Sequence, residues 1–347
     1  MSTDIKSMTI EELGKVMEDL GEPGFKAKQI YEWLHVKLVS SYDEMTNISK
    51  SLRETLGRQY PLYQMEILER QESKIDGTRK YLLRLSDDSI IESVWMQYSH
   101  GNSVCISSQV GCRMGCTFCA STLGGLERNL SATEMLEQIY TIQRDTEKRV
   151  SNIVIMGVGE PLDNFQEVVR FIYMISDEHG LNISQRNITL STCGLVPQIY
   201  ELAKEQLQIT LALSLHATSD ERRAELMPIA KKYQLAEVIK ACKDYYNETK
   251  RRLTFEYSLA DGINDGADEA RELAALLRGI NCHVNLIPMN PVRERKYTQS
   301  DSEKVVKFQN KLEKYGINVT IRREMGRDID GACGQLRHKT QAKGEQE

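Results

Sequence analysis

The loop Gly111-Cys-Arg-Met-Gly-Cys-Thr-Phe-Cys119 places three cysteines, Cys112, Cys116 and Cys119, at spacings of four and three residues. Three thiolates so spaced are able to hold one compact metal cofactor. Structural zinc sites and ordinary ferredoxin clusters both use four protein ligands. Three cysteines therefore predict a 4Fe–4S cluster with one iron left open for reaction. The alternative is a zinc site that takes Cys105 as its fourth ligand.

The cysteine loop follows the first strand of a long alternation of strands and helices. The predicted strands are Ser103–Ser107, Asn152–Met156, Asn187–Leu190, Gln208–Ser214, Leu253–Ser258, His283–Ile287 and Asn318–Arg322. The helical patterns between them include Ser131–Glu147, Gln166–Asp177, Leu235–Tyr246, Asp268–Leu277 and Asp301–Tyr315. This alternation predicts an α/β fold with a parallel sheet, and six or seven such units predict a partial (β/α) barrel. A doubly wound open sheet is the structural alternative.

Polar and glycine-containing segments follow these predicted strands repeatedly. They are Gly157–Pro161, Ser191–Gly194, Ser214–His216, Asp261–Asp265 and Pro288–Pro291, with Cys333 after the last strand. In (β/α) barrels the chemistry lies at the C-terminal ends of the strands, where strands give way to loops. The sequence therefore predicts one functional site at this face of the barrel.

The segments before the barrel have a different character. Helical periodicity covers residues up to about 60, and two β-rich runs, Arg79–Leu85 and Ile90–Met96, flank a Ser-Asp-Asp-Ser turn. We divide the chain into an N-terminal helical accessory domain at 1–60, a β-hairpin extension at 61–101, the barrel at 102–340 and a polar tail at 341–347.

The composition predicts a cytoplasmic enzyme. The chain has 347 residues, of which 40% are hydrophobic and 27% charged, as in ordinary soluble globular proteins. No apolar run is long enough to span a membrane, and the N-terminus lacks a signal-peptide pattern. In a reducing compartment, eight cysteines indicate metal binding or thiol chemistry rather than a disulfide framework. The net charge of −5 does not favour nucleic-acid binding, so local basic clusters carry more information.

Several motifs outside the cysteine loop strengthen a resemblance to a known family. They are Val104–Cys112, Met156–Leu162, Leu213–Ala217, Asn285–Pro291 and Asp328–Leu336. The C-x3-C-x2-C pattern is the signature of radical S-adenosylmethionine (radical SAM) enzymes. The whole set resembles the adenosine-C2 RNA methyltransferases of the RlmN family over nearly the full chain. The resemblance implies a radical SAM partial barrel with an N-terminal helical domain and a β-hairpin extension.

This resemblance also implies the cofactors and the residues that hold them. One 4Fe–4S cluster would be bound by Cys112, Cys116 and Cys119, and two molecules of S-adenosylmethionine would be used per turnover. The matching cofactor contacts are Gly159, Glu160, Ser191, Ser214, Leu215, His216 and Asn290. Taken alone, His216 is more typical of a hydrogen-bonded histidine at a strand end.

Two further cysteines and one glutamate match the family's catalytic positions. Cys333 would receive a methyl group as an S-methyl thioether, and that carbon would then bond to C2 of the adenine. Cys105 would release the RNA by attacking the sulfur of Cys333, which leaves a transient disulfide to be reduced. Glu92 would accept the C2 proton. Without the resemblance, Cys105 reads equally well as a core residue, and Glu92 better as an exposed strand glutamate.

The resemblance implies RNA partners, namely an adenosine of 23S rRNA and one of tRNA. We expect Arg322, Arg323 and the loop 293–296 to contact RNA phosphates. We also expect an electron donor such as flavodoxin or ferredoxin, no association with a membrane, and a monomeric protein. The related resistance enzymes, which methylate C8 of the same rRNA adenosine, are the nearest alternative. Pro161 and Pro288 favour the C2 group, whereas Met289 and Gly331 depart from its usual motifs. A non-catalytic iron–sulfur RNA-binding protein is a second alternative.

Overall fold

The computed structural model describes residues 4–99, 101–337 and 339–340, so the predicted polar tail at 341–347 lies outside the described residues. The strands are β1 Glu66–Glu72, β2 Arg79–Arg84, β3 Ser89–Tyr98, β4 Gly101–Ile106, β5 Gln109–Gly111, β6 Leu126–Asn129, β7 Val150–Ile155, β8 Ile188–Thr192, β9 Thr210–Ser214, β10 Leu253–Leu259, β11 Cys282–Pro288, β12 Val319–Ile321 and β13 Lys339–Thr340. The α-helices are α1 Ile10–Asp19, α2 Phe25–His35, α3 Lys50–Gln59, α4 Ala132–Thr146, α5 Phe165–Ser176, α6 Val196–Lys204, α7 Asp220–Leu226, α8 Leu235–Thr249, α9 Ala267–Leu276 and α10 Ser302–Lys314. Among these helices, none is both long and apolar enough to cross a membrane.

One large sheet organises the fold. Its strands lie in the order β1-β2-β3-β4-β7-β8-β9-β10-β11-β12, and β13 pairs with β3. From β4 onward every neighbouring pair is parallel. These strands follow one another across the sheet in chain order, without the reversal of order that a doubly wound sheet requires. The prediction of successive β/α units is therefore confirmed, and the doubly wound alternative is wrong.

The sheet curves into a partial barrel. Met156 directly follows β7 and Arg322 directly follows β12, five strand positions away. In a flat sheet these positions would be about 24 Å apart. In the structure, Nη1 of Arg322 lies 3.6 Å from Sδ of Met156. The second strand and the last strand of the parallel sheet thus face each other across one opening.

The predicted hairpin is confirmed, and it extends the barrel sheet. Strands β2 and β3 pair antiparallel, and β3 pairs antiparallel with β4, the first barrel strand. Strand β1, which was not predicted, adds a further antiparallel strand at the edge. A second small sheet, formed by β5 and β6, brackets the cysteine loop.

A buried ion pair joins the N-terminal segment to the barrel. Nζ of Lys6 lies 2.6 Å from Oε1 of Glu137 on α4 and also donates to the carbonyl of Tyr63. Both charged side chains are fully buried. The second carboxylate oxygen of Glu137 accepts a hydrogen bond from Arg144 at 2.9 Å. Every charge in this cluster therefore has a partner, which is the condition for burying charged groups.

We predict that Lys6→Met lowers the free energy of unfolding by about 3 kcal/mol, because Glu137 loses its closest cation and stays buried. Urea denaturation followed by circular dichroism measures this value. Lys204→Met is the control, because Lys204 pairs with Glu201 on the exposed surface and its loss should cost less than about 1 kcal/mol. Equal losses in the two variants would contradict the assignment of Lys6 to a structural role.

Candidate active site

A cavity that is open to solvent lies at the C-terminal ends of the barrel strands, with about 940 Å³ of empty space including its mouth. The predicted residues that line it are Cys112, Cys116, Cys119, Gly159, Glu160, Ser191, Ser214, His216, Asn290 and Cys333. The side chain of Leu215, by contrast, lies in the hydrophobic core. The backbone of Leu215 instead positions its neighbours, since its amide donates to the carbonyl of Glu256.

The loop that carries the three cysteines is fixed by backbone hydrogen bonds. The amide of Cys112 donates to the carbonyl of Gly125 at 2.7 Å, and the amide of Cys119 donates to the carbonyl of Cys116. The Thr122 hydroxyl donates to the carbonyls of Cys116 and Cys119. Arg295 donates to the Cys119 carbonyl at 3.1 Å. Arg295 therefore braces this loop, a role that its prediction as a phosphate contact did not include.

The three thiols form a set of soft sulfur donors in one cavity, which is the donor type that iron–sulfur clusters use. Burial raises the pKa of Cys112 to about 12, and burial together with the neighbouring thiols raises the pKa of Cys116 and Cys119. A bound cation would offset this unfavourable effect of burial by stabilising the thiolates. Cys105 does not line the cavity of the three cysteines, which argues against a zinc site that includes it.

The segment after β7 requires glycine. At Gly159, φ is +115° and a Cβ would lie 2.7 Å from the hydroxyl of Ser108. At Gly157 a Cβ would lie 2.7 Å from the carbonyl oxygen of Ile106. Both positions let the loop pack against the end of β4, and this packing directs the next residue, Glu160, into the cavity.

Glu160 is a buried carboxylate whose position is fixed. Its two oxygens accept from the backbone amides of Leu162, at 3.1 Å, and Cys193, at 2.8 Å. Burial raises the pKa of this carboxyl group, and these hydrogen bonds oppose the change. Cys193 also lines the cavity. A carboxylate held in this way is suited to bind an ammonium group.

His216 is held as a neutral imidazole. Burial and the nearby positive charge of Arg223 lower its pKa to about 3. Its Nδ1 accepts from the amide of Ser258 at 3.0 Å, so the ring proton is on Nε2. The ring also packs edge-on against Phe118 of the cysteine loop. His216 is thus both the hydrogen-bonded strand-end residue that its sequence context suggests and a donor that lines the cavity.

A second cavity, of about 520 Å³, adjoins the first. Cys105 lines only this second cavity, whereas Cys333 and Asn290 line both. The amide of the Asn290 side chain donates to the carbonyl of Cys333 at 3.0 Å and so fixes that residue's backbone. Burial and the nearby thiol of Cys333 raise the pKa of Cys105 to about 12, an effect that Arg322 opposes.

Arg322, which we predicted to contact phosphates, lies where the two cavities adjoin. Its side chain is 24% exposed and lines both cavities, with the buried carboxylate of Glu256 at 3.9 Å. Glu256, in turn, accepts from Asn285. Glu256 was not among the residues predicted from the sequence, although its polar side chain in the apolar strand β10 is a signal that could have identified it.

Glu92 is buried rather than exposed, so its interpretation as a solvated strand residue is wrong. It is 4% exposed, and its carboxylate accepts from the backbone amide of Arg337 at 2.9 Å. Nζ of Lys80 lies 3.8 Å from the other oxygen. The described residues that line the two cavities do not include Glu92.

Comparison with known proteins identifies the family. The profile of the radical SAM superfamily matches residues 106–277, and the ribosomal RNA large subunit methyltransferase N-terminal domain matches residues 3–60. A probable dual-specificity RNA methyltransferase RlmN of Lachnoclostridium phytofermentans is 62% identical, over 96% of this chain and 94% of the relative. A second, from Lachnospira eligens, is 58% identical over 97% and 96%. The chain belongs to the RlmN family. 

The RlmN assignment agrees with the fold. The crystal structure of a radical SAM methyltransferase from Sphaerobacter thermophilus has a TM-score of 0.93 and 42% identity, covering 96% of this chain and 99% of that one. The predicted radical SAM partial barrel is therefore confirmed. Membership of the RlmN family makes the protein a methyltransferase. Membership of the radical SAM superfamily implies a 4Fe–4S cluster and S-adenosylmethionine as its cofactors.

Proposed function

We propose that this protein methylates C2 of adenosine in 23S rRNA and in tRNA, through a methyl group carried on Cys333. The supporting observation is the position of Cys333 between the two cavities. On one side it shares a cavity with the three clustered cysteines, and on the other it shares a cavity with Cys105. A methyl carrier needs access both to the cofactors and to the thiol that later releases it.

In this proposal the first cavity holds the cofactors. Cys112, Cys116 and Cys119 bind the cluster, and the carboxylate of Glu160 binds the ammonium group of S-adenosylmethionine. Ser191 and Ser214, whose hydroxyls are 3.4 Å apart, bond to its polar groups together with Gly159, the backbone of Leu215, His216 and Asn290. When bound, the cluster and S-adenosylmethionine would supply the radical chemistry that removes a hydrogen atom from the methyl group on Cys333.

The two catalytic cysteines carry the methyl transfer. The Cys333 thiol loses its proton and takes a methyl group from a first S-adenosylmethionine, and a second is consumed in radical formation. Once the methylene carbon has bonded to C2 of adenine, the adduct would lose one electron to the oxidised cluster and its C2 proton to Glu92. The Cys105 thiolate then attacks the sulfur of Cys333, and the electron pair of the carbon–sulfur bond passes to the methylene carbon, which takes up a proton and becomes the methyl group. The methylated base leaves, and a Cys105–Cys333 disulfide remains. Two electrons from cellular thiols reduce this disulfide.

Glu92 is the proposed acceptor of the C2 proton. Its carboxylate lies on β3, two residues before Val94, which pairs with Cys105. Because Arg337 and Lys80 contact the carboxylate, this role requires those contacts to change when RNA binds. Arg337 also belongs to the segment just after Cys333, so movement of that segment would affect both residues.

The proposed RNA path follows the open side of the second cavity. Arg323 is exposed and lines that cavity, so it is the better phosphate contact of the two neighbouring arginines. We propose that the 1–60 segment is an accessory domain and that the 61–101 segment is an extension of the barrel, which the pairing of β3 with β4 supports. The proposed partners also include a flavodoxin or ferredoxin as electron donor. The proposed working form is a monomer in the cytoplasm, where the RNA substrates are.

One assay tests this function. The protein is reconstituted anaerobically with iron and sulfide and given S-adenosylmethionine, a reductant and either 23S rRNA or tRNA transcripts. Nuclease digestion and mass spectrometry then identify the methyladenosine. We expect 2-methyladenosine from both RNAs. A product methylated on C8 would instead support the resistance-type enzyme, and RNA binding without methylation or 5′-deoxyadenosine would support a non-catalytic binder.

A further inference from the structure

Arg223 on α7 is a fully buried arginine that contacts residues lining the first cavity. Its side chain is inaccessible to solvent. Nη2 donates to the carbonyl of Cys193 at 2.6 Å and to that of Ser214 at 3.3 Å, and Nε donates to the carbonyl of Leu215. One guanidinium thus ties together the loops that follow β8 and β9, and both loops line the proposed cofactor site.

The charge of Arg223 is only partly balanced by a carboxylate, because Asp220 on the same helix acts on it without forming an ion pair. The ion pairs of the described residues include none that involves Arg223, and its Nη1 is buried without a hydrogen-bond partner. The adjacent Arg222 shows the contrast, because its Nη1 lies 2.7 Å from Glu269. Carbonyl dipoles compensate a buried cation only in part, and the remaining cost is several kcal/mol. A buried arginine of this kind indicates an anionic partner that the polypeptide itself does not supply.

The groups around Arg223 indicate where that anion lies. Helix α7 packs against the loop of the three clustered cysteines, because the amide of Thr117 donates to the carbonyl of Leu226 at 2.9 Å. Arg223 precedes Leu226 by three residues and is buried on the same face of the helix. Cys193 and Ser214, whose carbonyls accept from Arg223, line the same cavity as the three cysteines. The anion that the proposed function adds on this side of α7 is therefore the thiolate-ligated cluster.

We infer that Arg223 is the counter-charge of the iron–sulfur cluster and raises its reduction potential. This inference rests on the proposed function, because it requires the cluster. Three thiolates make the cluster site anionic, and one added electron makes it more so. A fixed positive charge in a water-poor interior stabilises the reduced form more than the oxidised form. Arg223 therefore acts through the cluster and not on the substrate.

The test compares Arg223→Gln, Arg223→Lys and Arg222→Gln in the reconstituted holoprotein, without RNA. A redox titration followed by electron paramagnetic resonance gives the ratio of reduced to oxidised cluster. At the wild-type midpoint we expect Arg223→Gln to lower this ratio about tenfold, a shift of about 59 mV to more negative potential. Arg223→Lys keeps the charge and should stay close to wild type. Arg222→Gln, which removes a charge paired with Glu269, should also leave the potential unchanged.

The possible failures of this test are distinguishable. An unchanged potential in Arg223→Gln, or an equal shift in Arg223→Lys, would show that the charge does not act on the cluster. If neither Arg223 variant retains iron and a normal melting temperature, Arg223 has a packing role and the inference is wrong. A wild-type protein that takes up no cluster would overturn the proposed function itself. A wild-type protein that methylates C2 while Arg223→Gln keeps its potential would overturn only this inference.

Discussion

Replacing Cys333 with alanine is expected to reduce RNA methylation by about 10³-fold or more, since removal of a catalytic nucleophile typically has effects of that size. The reason is the position of Cys333, which lines both the cavity of the clustered cysteines and that of Cys105. No other cysteine of the described chain lines both cavities. Transfer of labelled methyl groups to RNA, with mass spectrometry of the digested nucleosides, measures the loss.

The same variant should leave cluster assembly intact. Cys333→Ala should bind as much iron and sulfide per chain as wild type, because the proposed ligands are the three cysteines of the 112–119 loop. Cys242→Ala is the matched control: Cys242 is fully buried in α8 and lines neither cavity, so methylation should persist. Loss of the cluster in Cys333→Ala would show that the proposed division between cluster ligands and methyl carrier is wrong.

The barrel was predictable from the sequence because its strands are buried. Strand β10 was predicted as Leu253–Ser258 and is Leu253–Leu259, and only one of its seven residues is more than slightly exposed. Parallel strands covered by helices on one side and a packed interior on the other form short apolar runs that are easy to locate. Strand β1 has the opposite character. Its sequence EILERQE is largely exposed, so neither alternation nor hydrophobicity marks it.

The site residues that could be predicted from the sequence are those that directly follow a predicted strand. Ser191, Ser214 and Asn290 line the cavity because each stands where a barrel strand gives way to a loop. Leu215 shows the limit of this rule, since alternate residues at a strand end point to opposite sides. The sequence motif includes Leu215, but its side chain belongs to the core.

Buried charges could not be identified from a single sequence. Arg222 and Arg223 form a basic pair that is typical of a solvated helix face, yet Arg223 is fully buried and Arg222 is not. One signal was available, because Arg223 precedes the buried Leu226 by three residues and so shares its face of α7. The carbonyls that hold Arg223 come from two distant loops, and their convergence depends on the tertiary fold. The same is true of the contact between Arg322 and Glu256.

Replacing Cys105 with alanine is expected to convert a catalytic intermediate into a stable protein–RNA adduct. Cys105 lines the second cavity with Cys333 but not the cavity of the clustered cysteines. Cluster binding and bond formation between the Cys333-bound carbon and adenine should therefore proceed in the variant. The release step should fail, because alanine has no thiolate to attack the sulfur of Cys333.

We expect most of the Cys105→Ala protein that reacts to migrate as a covalent RNA complex on a denaturing gel, while free 2-methyladenosine falls by about 10²-fold or more. Digestion with nuclease and protease should reduce the adduct to a single modified peptide that contains Cys333. Cys193→Ala is the control: Cys193 is also buried, but it lines only the first cavity and should accumulate no adduct. Normal turnover by Cys105→Ala would assign release to another nucleophile, and the proximity of Cys105 to Cys333 would then have no catalytic role. An adduct that also formed in Cys105→Ala/Cys333→Ala would show that the RNA is attached elsewhere. Only an adduct that requires Cys333 and is released by Cys105 agrees with the arrangement of the two cavities.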